Sequence, residues 1–190
     1  MREIALHLLD LAENSVAAGA RNVTLSVSED LKTAVLKVVI DDDGRGMDAE
    51  TVRRVTDPFY TSRTTRNVGL GIPLFKEAAE MAGGGMEIRS QPGVGTCVEV
   101  HFLHSHIDRM PLGRLEDTFL TLLSMHAGVH WIFRYAVQPA QGEARAFEFD
   151  DAPVKETLGN DVPLTHPDVL AYLRENICAG MADVRDGLKV

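Results

Sequence analysis

Four short segments carry the chemistry this sequence offers. Asp10 and Asn14 stand four residues apart, the spacing that puts a carboxylate and an amide oxygen on one face of a helix. An amide oxygen suits Mg²⁺, a hard cation that takes oxygen ligands and keeps several waters, and a carboxylate nearby can accept a proton or order a water. Asp42-Asp43-Gly44-Arg45-Gly46-Met47 follows an apolar run. A carboxylate held there by a glycine turn can accept a hydrogen bond from the amino group of adenine, where guanine presents a carbonyl oxygen. Val68-Gly69-Leu70-Gly71-Ile72-Pro73 opens a helical pattern, and free backbone N–H groups at the positive end of a helix form an anion site that glycine lets phosphate approach. Just before it, Thr61, Ser62, Arg63, Thr64, Thr65 and Arg66 supply hydroxyls and cations that can fold over phosphates. Gly95-Thr96 caps a strand beside the acidic turn. Each segment alone has a plain structural reading as an exposed helix face, a surface turn or a hinged loop. In this order, within one stretch of chain, they point to a site for ATP.

The elements that must position these groups can be read from periodicity. Ile4, Leu8, Leu11 and Ala12 recur with helical spacing and Gly19 stops them. Val23 to Val27 and Ala34 to Ile40 alternate as strands, and the second runs into Asp41-Asp42-Asp43. Asp48 has the character of an N-cap for a short helix through Val55. Pro58 to Val68 has no clear period and reads as a mobile loop, Leu70 to Met81 as a helix stopped by Gly83-Gly84-Gly85. Met86 to Ser90 and Thr96 to Phe102 alternate around the turn Pro92 to Gly95. The expected fold class is α+β, a two-layer α/β sandwich with helices on one face of a mixed, mostly antiparallel sheet. The absence of a repeated βαβ pattern makes Gly44-Arg45-Gly46 a poor dinucleotide fingerprint.

A second region, residues 105–190, is expected to add a small α-β-β-α unit to an ATP-binding domain of residues 1–104. Leu112 to Met125 reads as a helix, Val129 to Val137 and Ala144 to Phe149 as a hairpin, and Pro167 opens a last helix carrying Val169, Leu170, Leu173 and Ile177 on one face. From about Asp183 the chain is expected to fray. Partly exposed Trp131, Phe133 and Tyr135 would form a docking or dimerising surface. Asp150, Asp151, Asp161 and Asp168 read as a solvated acidic face in preference to a cation site, because their spacing is irregular. His126 and His130 read as packing or surface residues, and Cys97 as a small buried hydrophobe.

Bulk properties narrow the classes. The chain has 190 residues, 45% hydrophobic and 25% charged, with a net charge of −9. The negative balance argues against a nucleic-acid binder, and no apolar run is long enough to span a membrane. The two cysteines are too few for a disulfide frame or a zinc site. The opening Met1-Arg2-Glu3 has no short apolar core of a signal peptide, so a cytoplasmic setting is expected.

On these motifs the chain resembles the ATP-binding domain of the histidine-kinase, gyrase and mismatch-repair ATPase superfamily, the Bergerat fold. Asp10 to Asn14 is similar to its asparagine box, Asp42-x-Gly44-x-Gly46 to its first glycine box and Pro58-Phe59-Tyr60-Thr61-Ser62-Arg63 to its phenylalanine box. Gly69-x-Gly71 is similar to the second glycine box and Gly95-Thr96 to the closing strand motif. The resemblance implies that Asn14 holds Mg²⁺, that Asp42 reads adenine with support from Thr96, and that Gly44, Gly46 and Met47 lie along the nucleotide. It also implies that Thr61, Ser62, Arg63, Arg66, Gly69, Leu70 and Gly71 surround the phosphates, and that Asp10 takes the place of the general base, where a Glu is commoner in the family.

The short loop resembles the kinase branches. The implied activity is transfer of the γ-phosphoryl group of ATP to a partner protein in trans, as in stand-alone kinases that regulate anti-anti-sigma factors. An ATP-gated binding switch, or a slow ATPase coupled to homodimerisation, are the alternatives. Ser105-His106-Ile107-Asp108-Arg109 echoes the histidine box of sensor kinases but lacks its acidic neighbour, since Ile107 stands there, and is read as a chance likeness.

Overall fold

The computed structural model of the chain describes residues 3–56, 71–159 and 161–186. In chain order the elements are α1 (Ile4–Ala17), β1 (Asn22–Asp30), β2 (Val35–Asp42), α2 (Ala49–Val55), α3 (Gly71–Met81), β3 (Gly85–Gln91), β4 (Gly95–Leu103), α4 (Leu115–Met125), β5 (His130–Gln138), β6 (Arg145–Asp150), α5 (Ala152–Leu158) and α6 (Pro167–Arg185). All six strands form one sheet in the order β3-β4-β2-β1-β5-β6. Neighbours are antiparallel except β1 and β5, which run parallel.

Side chains alternate across a strand, so cross-strand partners share a face. One row, Ile88–Val98–Ile40–Leu25–Phe133–Phe149, crosses all six strands and faces the helices. On that face α1, α3 and α6 pack on the strands, with α4 against α1 and α6. The adjacent row on the other face, Arg89–Cys97–Asp41–Thr24–Ile132–Asp150, contains no buried residue. The α+β sandwich with helices on one face is therefore the fold observed, with a mixed sheet that is antiparallel but for one pair.

The expected hairpin exists as β5 and β6, but β5 docks beside β1 and extends the sheet. That docking corrects the expectation of a partly exposed aromatic surface: Trp131, Phe133 and Tyr135 are buried under α4 and α6, at 0, 2 and 0% exposure. The end does not fray at Asp183. The stripe Leu173, Ile177, Met181 and Val184 carries α6 as a packed helix to Arg185. Cys97 lies half-buried on the open face. The short helix α5 was not anticipated, although Pro153 in its first turn is a start signal. His106 sits in a turn after β4, its N–H donating to Leu103 O.

Candidate functional site

The amphipathic stripe of α1 does not end with its apolar residues. Ile4, Leu8, Leu11, Ala12 and then Ser15 face the core, so a hydroxyl arrives where the helix meets the end of β2. Ser15 Oγ donates to Asp42 Oδ2 at 2.6 Å, and the Gly44 N–H donates to Asp42 Oδ1 at 2.9 Å. Each carboxylate oxygen thus has one protein donor and keeps a lone pair for a ligand.

Asp42 lines a cleft of about 480 Å³. Leu11, Ile40, Val55, Ile72 and Val98 supply apolar walls, and Asn14, Met47 and Thr96 line it with Gly46. Thr96 is the cross-strand partner of Asp42. Across the next pair Ser90 Oγ accepts from Met47 N–H at 2.8 Å, lies 2.9 Å from Thr96 Oγ1 and donates to Gly95 O at 2.9 Å. Two glycines make this closure possible. Gly46 has φ +64°, and a Cβ there would lie 2.0 Å from Gln91 O. Gly95 has φ +141°, with a Cβ 1.9 Å from Asp42 O. Neither backbone contact admits a side chain.

Asp48 caps α2 as expected, its carboxylate accepting from Thr51 N–H at 2.7 Å; that bond holds the carboxyl below the ordinary range. Asp10 is half-buried one helical turn before Asn14. Its carboxylate abuts Gly71 at the start of α3, where a Cβ would fall 1.5 Å from Asp10 Oδ2. The N-terminal end of a helix favours a negative charge there. Behind it, His7 is buried and stacked on Phe75 with centroids 4.5 Å apart. Burial lowers the His7 pKa to about 4, and its Nδ1 has no hydrogen-bond partner among the described residues.

Of the residues singled out in the sequence, Asn14, Asp42, Gly46, Met47 and Thr96 meet in this cleft, with Gly44 on its loop and Asp10 and Gly71 beside each other. Thr61, Ser62, Arg63, Arg66, Gly69 and Leu70 lie outside the described residues. Ser15 was missed. Its signal was the helical period itself, which keeps position 15 on the buried face.

Residues 2–106 match the histidine kinase-, DNA gyrase B- and HSP90-like ATPase family, and the chain belongs to it. With membership comes that family's ATP-binding domain. Sequence relatives include the sensor protein kinase FleS of Pseudomonas aeruginosa, 37% identical over 90 residues, which are 47% of this chain and 22% of FleS. The histidine protein kinase DivJ of Caulobacter vibrioides is 31% identical over 97 residues, 49% of this chain and 16% of DivJ. The non-motile and phage-resistance protein of the same organism is 32% identical over 117 residues, 57% of this chain and 14% of that protein. The chain therefore spans less than a quarter of the length of these relatives. Among the described residues no helix is long and apolar enough to cross a membrane.

Proposed function

We propose that the cleft takes ATP with Mg²⁺ and that the chain is a regulatory kinase acting in trans on a partner protein. One observation carries this reading: Asp42 is fixed by Ser15 and Gly44 in a cleft whose apolar walls are Leu11, Ile40, Val55, Ile72 and Val98. An acceptor held in a single direction before the ligand arrives loses little on binding and discriminates by hydrogen-bond pattern. Asp42 would accept from the adenine amino group, supported by Thr96, with Met47 and the apolar walls covering the ring and Gly44 and Gly46 keeping the loop close.

Asn14 offers the amide oxygen for Mg²⁺, which when bound neutralises phosphate charge. Thr61, Ser62, Arg63, Arg66, Gly69, Leu70 and Gly71 are the phosphate contacts in this reading. In the transfer, the bond between the γ-phosphorus and the bridging oxygen of ADP breaks as the bond to the acceptor side chain forms, and Asp10 takes the acceptor's proton. Residues 1–104 then form the catalytic unit, and 105–190 an extension with a separate role in a cytoplasmic setting. The kinase names of FleS and DivJ support phosphotransfer.

The test uses ATP labelled at the γ-phosphate, the chain and a cell extract. Label appearing on a protein with the wild type and not with Asp10→Asn, while Asp10→Asn still binds ATP, is the expected result. Free phosphate with no labelled protein would identify a slow ATPase instead. ATP-dependent partner capture that a non-hydrolysable analogue reproduces would identify a binding switch.

A further inference from the structure

His130 opens β5, Asp150 closes β6 and Asp151 follows it, so the antiparallel pairing of β5 with β6 gathers three ligand-type side chains at one end of the sheet. One ligand atom from each lies within 4.8 Å of the others. His130 Nε2 is 2.9 Å from Asp150 Oδ1 and 3.8 Å from Asp151 Oδ1. Asp161 and Asp168, grouped with them in the sequence, do not belong to this cluster.

The hydrogen-bond inventory around His130 decides what can stand between these atoms. Asn22 Nδ2 donates to Asp43 Oδ2 at 2.6 Å, which turns Asn22 Oδ1 toward His130 Nδ1 at 3.0 Å. An amide oxygen only accepts, so Nδ1 carries the hydrogen. Nε2 then faces two carboxylates and needs a positive occupant, either a second proton or a metal ion. A proton on Nε2 serves Asp150 Oδ1 alone. Asp151 is fully buried; Lys155 Nζ forms an ion pair with its Oδ2 at 2.6 Å, while neither carboxylate oxygen has a hydrogen-bond partner among the described residues and Oδ1 has no ion pair nearer than His130. At 3.8 Å it is beyond hydrogen-bond reach of Nε2, and an orphaned buried carboxylate oxygen is costly.

We propose that His130, Asp150 and Asp151 bind a divalent transition-metal ion of the zinc and cobalt class, with water completing the coordination. Ligands about 2.1 Å from a tetrahedral metal stand about 3.4 Å apart, between the two distances measured from Nε2. Each ligand has the outer partner such sites require: Asn22 for His130, Lys155 for Asp151, and the Ala152 N–H at 2.8 Å for Asp150. One imidazole with two carboxylates favours zinc or cobalt over the all-oxygen cations. The site is separate from the ATP cleft and does not rest on the kinase reading.

The test is titration of the metal-stripped, untagged full chain with Co²⁺ in the absence of nucleotide, followed by visible absorption and calorimetry. The expected result is one ion per chain with the visible band of a low-coordinate cobalt site, displaced by Zn²⁺. His130→Ala and Asp150→Asn, both at partly exposed positions, should weaken binding at least about tenfold, whereas His166→Ala, at a surface His–Asp pair, should not. No saturable binding by the wild type would overturn the proposal, whatever the variants do. So would affinity in His130→Ala equal to that of the wild type, or an equal loss in His166→Ala.

Discussion

One row of the sheet holds the open cleft end and the packed end of this molecule side by side. It runs Ser90–Thr96–Asp42–Val23–Trp131 along cross-strand partners. On one side of Val23 stands a carboxylate with a donor on each oxygen and an open cleft before it. On the other stands an indole with no exposed surface. The same contrast separates two carboxylates, Asp42 and Glu29. Glu29 accepts from Tyr135 OH at 2.5 Å, lies 2.8 Å from His104 Nε2, and is nearly closed off from solvent. Burial and the Glu29 partner push the Tyr135 hydroxyl pKa up, so it remains a donor. Glu29 ties β1 to β5 and to His104 just past β4; Asp42 is fixed and left facing the cleft. A polar group in a core face reads as a site when its partners orient it without enclosing it.

The comparison can be broken at its packed end first. Trp131→Ala is expected to cost about 4 kcal/mol of stability through the cavity it leaves, seen as a lower midpoint in urea. ATP affinity of the folded fraction should stay unchanged. Stability equal to the wild type would restore Trp131 to a surface role.

His7 comes next. With its folded pKa near 4 against the ordinary 6.5, the unfolded chain binds the extra proton between those values, so stability rises with pH there. It is complete above pH 6.5 and falls by about 3 kcal/mol on acidification to 4. Urea midpoints against pH should show that limb in the wild type and a flatter one in His7→Phe. A limb unchanged by the substitution would remove His7 from the account.

The smallest expected effect lies at the site. Ser15→Ala removes one donor to Asp42 and should weaken ATP binding by about 1 kcal/mol, roughly fivefold, with little loss of stability. An unchanged affinity would show that Gly44 alone suffices to orient the carboxylate.

Much of this was legible in the sequence because its signals are local. The period of α1, the alternation of β1 to β4, the Asp48 cap and the glycine turns each depend on residues a few positions apart. The resemblance on the boxes adds the expectation that the motif residues share one site. What escaped depends on contacts between distant segments. Alternation in Trp131, Phe133 and Tyr135 says that one face is covered, not that α4 and α6 of the same chain cover it. Asn22 and His130 become neighbours only through the parallel register of β1 and β5, and the Ser15–Asp42 bond only through packing of α1 on β2. Irregular spacing made Asp150 and Asp151 look solvated, yet the end of β6 turns Asp151 into the protein.

The central claim is that a pre-oriented Asp42 makes this cleft an ATP site. Calorimetric titration of ATP with Mg²⁺ into the wild type and into Asp42→Asn tests it directly. Micromolar-range binding by the wild type, weakened about a hundredfold by a substitution that leaves the urea midpoint in place, is the predicted result. Equal affinities in the two proteins, or no binding by the wild type, would contradict it.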